Sequence, residues 1–307
     1  MRFIDSLLLF CATASLLPAC KTVQVNKVSG GDYCAPSVNY HYNRQMIPAR
    51  NTDSLLIVYS SLPVHEVITA NAVGILPLVQ QLVAEGTDSS VTGRLHKNEL
   101  RSKIAHRILL ASTEIDGLAA ELDCEGERAD QLGRYLDDAN SKRNTRLTVT
   151  SIITGAITTV AAVAIKNTGT QNAVAISGGL LTAGLSALTI NPAGRKMMVT
   201  HARNPLTDIW YKPGASTVYS PFIWYVLNEK RFSFSGKTSL AENIKKRWIE
   251  FDLDNDVDIR TEKLFFGQGG RYKAGDLHTR AAMLNELQST IRSINQDLQS
   301  LMEYIGQ

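Results

Sequence analysis

The sequence predicts a mainly α protein: an elongated helical bundle around a central Gly/Ala-rich apolar helical hairpin, with a small mixed subdomain attached. Three observations carry this. Apolar residues recur every three or four positions over 100–122 and again over 284–305. Two neighbouring runs, 147–165 and 173–190, contain no charged residue. All three tryptophans, Trp210, Trp224 and Trp248, fall in one stretch punctuated by Pro205, Pro213 and Pro221.

The chain opens with Arg2 and an apolar run over 6–17, closed by the sequence Leu17-Pro18-Ala19-Cys20. A basic start, a short apolar core and a small residue before the cut are the parts of an export signal. Twelve residues of helix reach only about 18 Å, short of a bilayer's roughly 30 Å. The junction resembles the lipobox of bacterial lipoproteins. That resemblance implies removal of 1–19 and acylation of Cys20, so that membrane lipid is held through N-terminal acyl chains. It also implies a cell-envelope location. Lys21 in place of a retention-type Asp points to the outer membrane, facing the periplasm.

Of the four cysteines, Cys11 leaves with such a signal and Cys20 is spoken for. Cys34 and Cys124 remain as an even pair in a compartment where disulfides persist. A bridge is the expectation, stapling the N-terminal lead-in to a helix end; two separate buried thiols are the alternative. The net charge of +3 is unchanged by removal of 1–19, which carries one Arg and one Asp. So mild and mixed a charge argues against a nucleic-acid partner.

Residues 20–51 read as a lipidated tether and irregular lead-in, polar and containing Gly30-Gly31. Residues 52–194 form the bundle with its hairpin. Asp53 and Ser54 are candidate N-caps, and Pro63 and Pro77 divide 54–85 into two or three short helices. Leu100, Ile104, Ile108, Ala111, Ile115, Leu118 and Leu122 make one stripe of an amphipathic helix. The stretch 123–128, DCEGER, reads as a turn, and a further helix starts near Ala129.

The hairpin arms would be about 28 and 27 Å long, close to the thickness of a hydrocarbon core. Lys142, Arg143 and Arg146 precede the pair, and Arg195 and Lys196 follow it. Gly155, Ala156 and Thr159 on one arm, with Gly178, Gly179, Ala183 and Gly184 on the other, would let the backbones pack closely. Two environments suit such a pair: the centre of a soluble bundle, covered by 95–122 and 277–305, or a bilayer. Five threonines and one serine in the first arm weigh against lipid, so the covered hairpin is the expectation and insertion its alternative.

Residues 195–275 form the mixed Trp-rich subdomain, with helical rhythm over 237–251 and a short hairpin near 231–235. Residues 276–307 give the cleanest pattern, a C-terminal heptad helix packing on the bundle, capped by Asp276. Leu284, Leu287, Ile291, Ile294, Leu298, Leu301 and Ile305 alternate by 3 and 4. This seam would take either the 95–122 stripe or a protein partner, including a second copy of the chain.

Candidate chemistry is thin. His65-Glu66-Val67-Ile68-Thr69 begins like the zinc-protease helix H-E-x-x-H but lacks the second histidine. The acidic run from Asp252 resembles a calcium loop, yet Val257 stands at the glycine position and Lys263 at the bidentate one. Gly267-Gln268-Gly269-Gly270 fits no phosphate loop and reads as a flexible turn. No G-x-S-x-G elbow occurs. The expectation is a non-enzymatic structural or assembly subunit of an envelope complex, with no metal and no cofactor. A membrane-inserting or pore-forming protein is the first alternative, and a periplasmic hydrolase with a dispersed site is the second.

Overall fold

The computed structural model describes residues 27–28, 34–35, 48–49, 51–86, 90–190 and 194–306. The signal segment, Cys20 and most of the tether lie outside them. The chain is mainly α, as its sequence predicts.

Three short helices come first: α1 (Thr52–Val58), α2 (Val64–Ala72) and α3 (Leu76–Ala84). The cap of α1 is Asn51, whose Oδ1 accepts from the Ser54 amide at 3.1 Å, two or three residues earlier than Asp53 or Ser54 would place it. Helix α4 then runs unbroken over Val91–Ala164, 74 residues, or about 110 Å. It is followed by α5 (Thr168–Ile190), α6 (Pro205–Tyr211), α7 (Pro221–Asn228), α8 (Leu240–Arg247), α9 (Ile259–Phe266) and α10 (Ala274–Gly306).

The expected turn at 123–128 is therefore helix. An internal glycine costs a helix only about 1 kcal/mol, and here Gly126 has a packing use. A Cβ on it would lie 2.8 Å from Asn285 Oδ1, and one on Gly133 would lie 2.7 Å from the His278 ring. Both glycines let α10 approach α4 closely. Glu125 and Arg128 add an ion pair at 3.3 Å.

Helix α10 lies antiparallel on α4. His278 meets Asp130 and Asp137, Gln288 Nε2 donates to the Ala119 carbonyl, and Ser112 Oγ donates to Asn295 Oδ1. Leu284, Leu287, Ile291, Ile294, Leu298 and Leu301 are all buried, against the stripe Leu100 to Leu122. Ile305, at the end, is partly buried. The heptad seam is thus filled by the chain itself and is not left open to a partner. Asp276 caps from inside the first turn, its Oδ2 accepting from the Lys273 amide at 2.8 Å.

A three-stranded sheet joins β1 (Lys27–Val28), β2 (Met197–Thr200) and β3 (Gly269–Tyr272), with β1 parallel and β3 antiparallel to β2. The glycine run is therefore strand. Gly269 has φ +88°, and a Cβ there would lie 2.3 Å from the Val199 carbonyl oxygen. No strand pair forms at 231–235; Lys230–Phe232 is a 3-10 turn. The aromatic residues pack with the helices in one continuous core: Trp210 stacks on Phe266 at 3.9 Å, and fully buried Trp248 lies beside it. Cys34 and Cys124 are disulfide-bonded. The bond lands on the middle of α4, not at a helix end, because α4 does not end there.

Candidate membrane-inserting hairpin

Helix α10 begins at residue 274 beside Asp130 and Asp137, so α4 runs on past it without a covering helix. From Leu147 onward, among the described residues, α4 packs chiefly against α5. The apolar 18-residue window of each arm is only 6% buried. Ile152, Ile157, Val160 and Val163 on α4, and Ile176 and Leu180 on α5, are each more than half exposed. The helices at 95–122 and 277–305 cover one another and leave the hairpin bare. The expected central, covered hairpin is thus corrected to a projecting one.

The reason lies in the residue pattern. A helix with one apolar stripe is satisfied by one partner, whereas apolar residues all round need an apolar surrounding. Two cylinders about 10 Å wide and 27 Å long expose on the order of 1,000 Å² after pairing. Contiguous apolar patches on soluble monomers are typically a few hundred Å².

Two of the first arm's five threonines, and one on the second arm, bond within their own helix; Thr182 Oγ1, buried between the arms, has no partner among the described residues. Thr158 Oγ1 donates to the Thr154 carbonyl at 2.8 Å, Thr159 Oγ1 to Gly155 at 2.9 Å, and Thr189 Oγ1 to Ser186 at 2.7 Å. Such back-bonding satisfies the hydroxyl donors within their own helix. Ser151 is buried between the arms, 3.1 Å from Ser186 Oγ and donating to the Thr182 carbonyl at 3.3 Å. Composition counts hydroxyls; only the helix shows where their protons go.

The small residues divide into two groups. Gly178 is buried against Thr158, where a Cβ would come within 2.1 Å of Cγ2. Gly155 faces Thr182, with a Cβ position 3.7 Å from its Oγ1. These two make the close approach of the arms. Ala156, Thr159, Gly179, Ala183 and Gly184 lie on the exposed outer surface instead, and Cβ atoms at Gly179 and Gly184 would meet nothing.

The ends are polar. At the tip, Asn167 Oδ1 accepts from the Thr170 amide at 3.1 Å and opens α5, beside the exposed Lys166. At the base, the Arg195 amide donates to Asn140 Oδ1 at 2.9 Å, tying the return of the chain to α4. Lys142, Arg143, Arg146, Arg195 and Lys196 gather around this base.

The other motifs take structural roles. His65 pairs with Asp297 at 3.3 Å, and buried Glu66 accepts from Ser300 Oγ at 3.0 Å, so both join α2 to α10. Asp254 and Asn255 adopt positive φ in a turn, and Asp258 caps α9 through the Thr261 amide at 2.6 Å. His201 is buried against Tyr272, and burial pushes its pKa down to about 2, so it stays neutral. Arg280 is fully buried, held by the Phe265 carbonyl and Asn204 Oδ1, both at 3.1 Å. Among the described residues, no group of three His, Cys, Asp or Glu side chains is placed to hold a metal.

No protein-family model, curated protein or solved structure matches the chain. Its function is argued from the hairpin.

Proposed function

We propose that this is a membrane-inserting protein of the bacterial envelope, with hairpin 147–190 entering the bilayer from the side on which the helical body lies. The observation that carries this reading is the exposure of both apolar arms along a length close to the hydrocarbon thickness. The cationic base supports it, since both ends of the pair would meet phosphate headgroups on one side. The body then acts as a non-enzymatic scaffold that holds its partners at a fixed height. On the lipobox reading, acyl chains on Cys20 supply a second anchor in the same leaflet.

The test is flotation and carbonate extraction of a variant of residues 21–307, which carries neither the apolar signal segment nor acyl chains. The expected result is protein that floats with liposomes and resists carbonate. A variant that stays in the soluble fraction contradicts the proposal. Dye release run in parallel separates the two membrane roles. An anchor leaves vesicles tight, and a pore assembled from several hairpins empties them.

A further inference from the structure

A groove of about 930 Å³ opens at the base of the hairpin, lined by Lys196, Arg260, Lys263 and Arg271 with Asp258, Ile259 and Leu264 among its walls. Four cations meet one acid. Asp258 already accepts from the Thr261 amide. None of the four cations has a carboxylate oxygen within 4 Å among the described residues, and all four are exposed. Arg203, Lys212, Arg231 and Arg247 each hold a carboxylate at 2.6–2.8 Å, whereas Arg94, Arg101 and Arg107 are spread singly along α4; the groove differs in gathering four cations around one opening. One wall is the first turn of α9, whose amide ends add positive potential. Another is β3, where Arg271 faces outward as Tyr272 turns into the core. A Cβ on Gly270 would press on Leu264 at 3.1 Å, so the glycine keeps the floor low.

The position of the groove matters as much as its charge. Lys196 follows Arg195, whose amide is fixed to Asn140. Asn140 lies seven residues before Leu147, the first residue of the apolar arm, or about 10 Å along α4. A headgroup layer is roughly 5–7 Å deep on each side of the hydrocarbon core. The lip of the groove at Lys196 therefore lies about 3–5 Å outside that layer when the hairpin is inserted, a gap that extended Lys and Arg side chains span. Ile259, 72% exposed on the rim, supplies an apolar side chain beside the cations, the pairing used at membrane surfaces.

We infer that this groove docks the phosphate-bearing headgroup of an anionic lipid in the membrane that the hairpin enters. The inference rests on the insertion proposed above and adds lipid selectivity to it. Arg260 and Arg271 offer planar donor forks that fit phosphate oxygens, and Lys196 and Lys263 add point charges. Lipid phosphate is presented at fixed depth and high local concentration, which a shallow, solvent-open site needs for occupancy.

The experiment compares the full chain with the triple variant Arg260→Ala, Lys263→Ala, Arg271→Ala on two vesicle types. One is phosphatidylcholine; the other is phosphatidylcholine mixed with phosphatidylglycerol. The variant removes only exposed side chains without ion pairs, so its thermal unfolding should match that of the parent. A control triple, Arg94→Ala, Arg101→Ala, Arg107→Ala, removes equal charge from the far end of α4. At about 1 kcal/mol per surface cation, the parent's preference for anionic vesicles should fall by about 100-fold in the groove triple. The control triple should keep that preference, and carbonate resistance should persist in every variant.

An anionic preference that survives in the groove triple, or is lost equally in the control, overturns the headgroup site while leaving insertion intact. Failure of the parent to resist carbonate on either vesicle overturns the insertion reading instead. Saturable binding of inorganic phosphate without vesicles, combined with indifference to vesicle charge, assigns the groove to a soluble anion and also overturns the lipid assignment.

Discussion

One helix passes through two environments. Between Leu100 and Leu136, α4 buries a single stripe against α10 and keeps charged residues on its other faces. Beyond Leu147 the same helix, with no break, carries no charge on any face and, among the described residues, packs chiefly against α5. The first part has its apolar stripe covered within the chain. The second has its apolar surface uncovered among the described residues, and on the proposed reading a bilayer covers it. Helical periodicity thus names the partner: a stripe asks for another helix, and an all-round apolar surface asks for a solvent.

The comparison is broken most strongly by charging the hairpin. Ile157→Lys together with Leu180→Lys places two ammonium groups near mid-membrane, each costing about 2.5–3.5 kcal/mol. Partitioning into liposomes should fall by more than about 1,000-fold, while thermal unfolding of the body stays unchanged. A similar pair of charges at exposed Leu109 and Leu110 should alter neither.

The body has its own break point. Replacing Cys34 and Cys124 with serine removes a cross-link spanning 90 residues, which chain entropy values at about 4–5 kcal/mol. A large drop in denaturation midpoint is expected, with insertion unaffected in protein that remains folded.

Smaller changes sharpen the hairpin itself. Gly178→Val forces a side chain into Thr158 and should cost about 1–3 kcal/mol of arm pairing, read as greater separation of spin labels on the two arms. Gly184→Val, on the open outer face, should leave that separation unchanged.

A further effect distinguishes the body by pH. Glu114 lies in α4, with Oε1 buried and without a hydrogen bond, and burial pushes its pKa up to about 7. The native state then holds a proton that the unfolded chain releases near the ordinary value of 4.5. Stability contributed at low pH is lost as pH rises through this window. Glu114→Gln should therefore raise the melting temperature more at pH above 7 than below 5, and equal gains at both would contradict the assignment. His278 works in the same sense, through a cation that is kept and not a carboxyl that stays protonated. Asp137 and Asp130 hold its pKa up, so its clasp of α10 onto α4 is present at low pH and lost as pH rises past that raised value.

Much of this was legible in the sequence, for identifiable reasons. The stripes 100–122 and 284–305 bury each other because both have one-sided periodicity, and the charge-free arms formed where charge was absent. Three features were not legible. Gly126 looks like a turn because its close contact with α10 involves a residue 159 positions away, Asn285. The strand at 269–272 depends on pairing with Met197–Thr200 and not on its own propensity. The hairpin's exposure is not legible from hydroxyl content: five threonines and one serine in the first arm weigh against lipid, yet the arm is uncovered in the fold, and Thr158 and Thr159 bond within their own helix. The groove's cations, in turn, come from three separate segments that only the fold brings together.

The central claim is that the hairpin, and not the body, enters the bilayer. The most direct test attaches a spin label to Ile157→Cys or to Leu109→Cys in the full chain bound to liposomes, with the unsubstituted protein as background. Both parent residues are more than 60% exposed, so water reaches both positions equally without a membrane. The label at 157 should be relaxed by oxygen and shielded from a water-soluble nickel chelate, with the reverse at 109. If both labels remain open to the chelate, the hairpin lies outside the bilayer and the account is wrong.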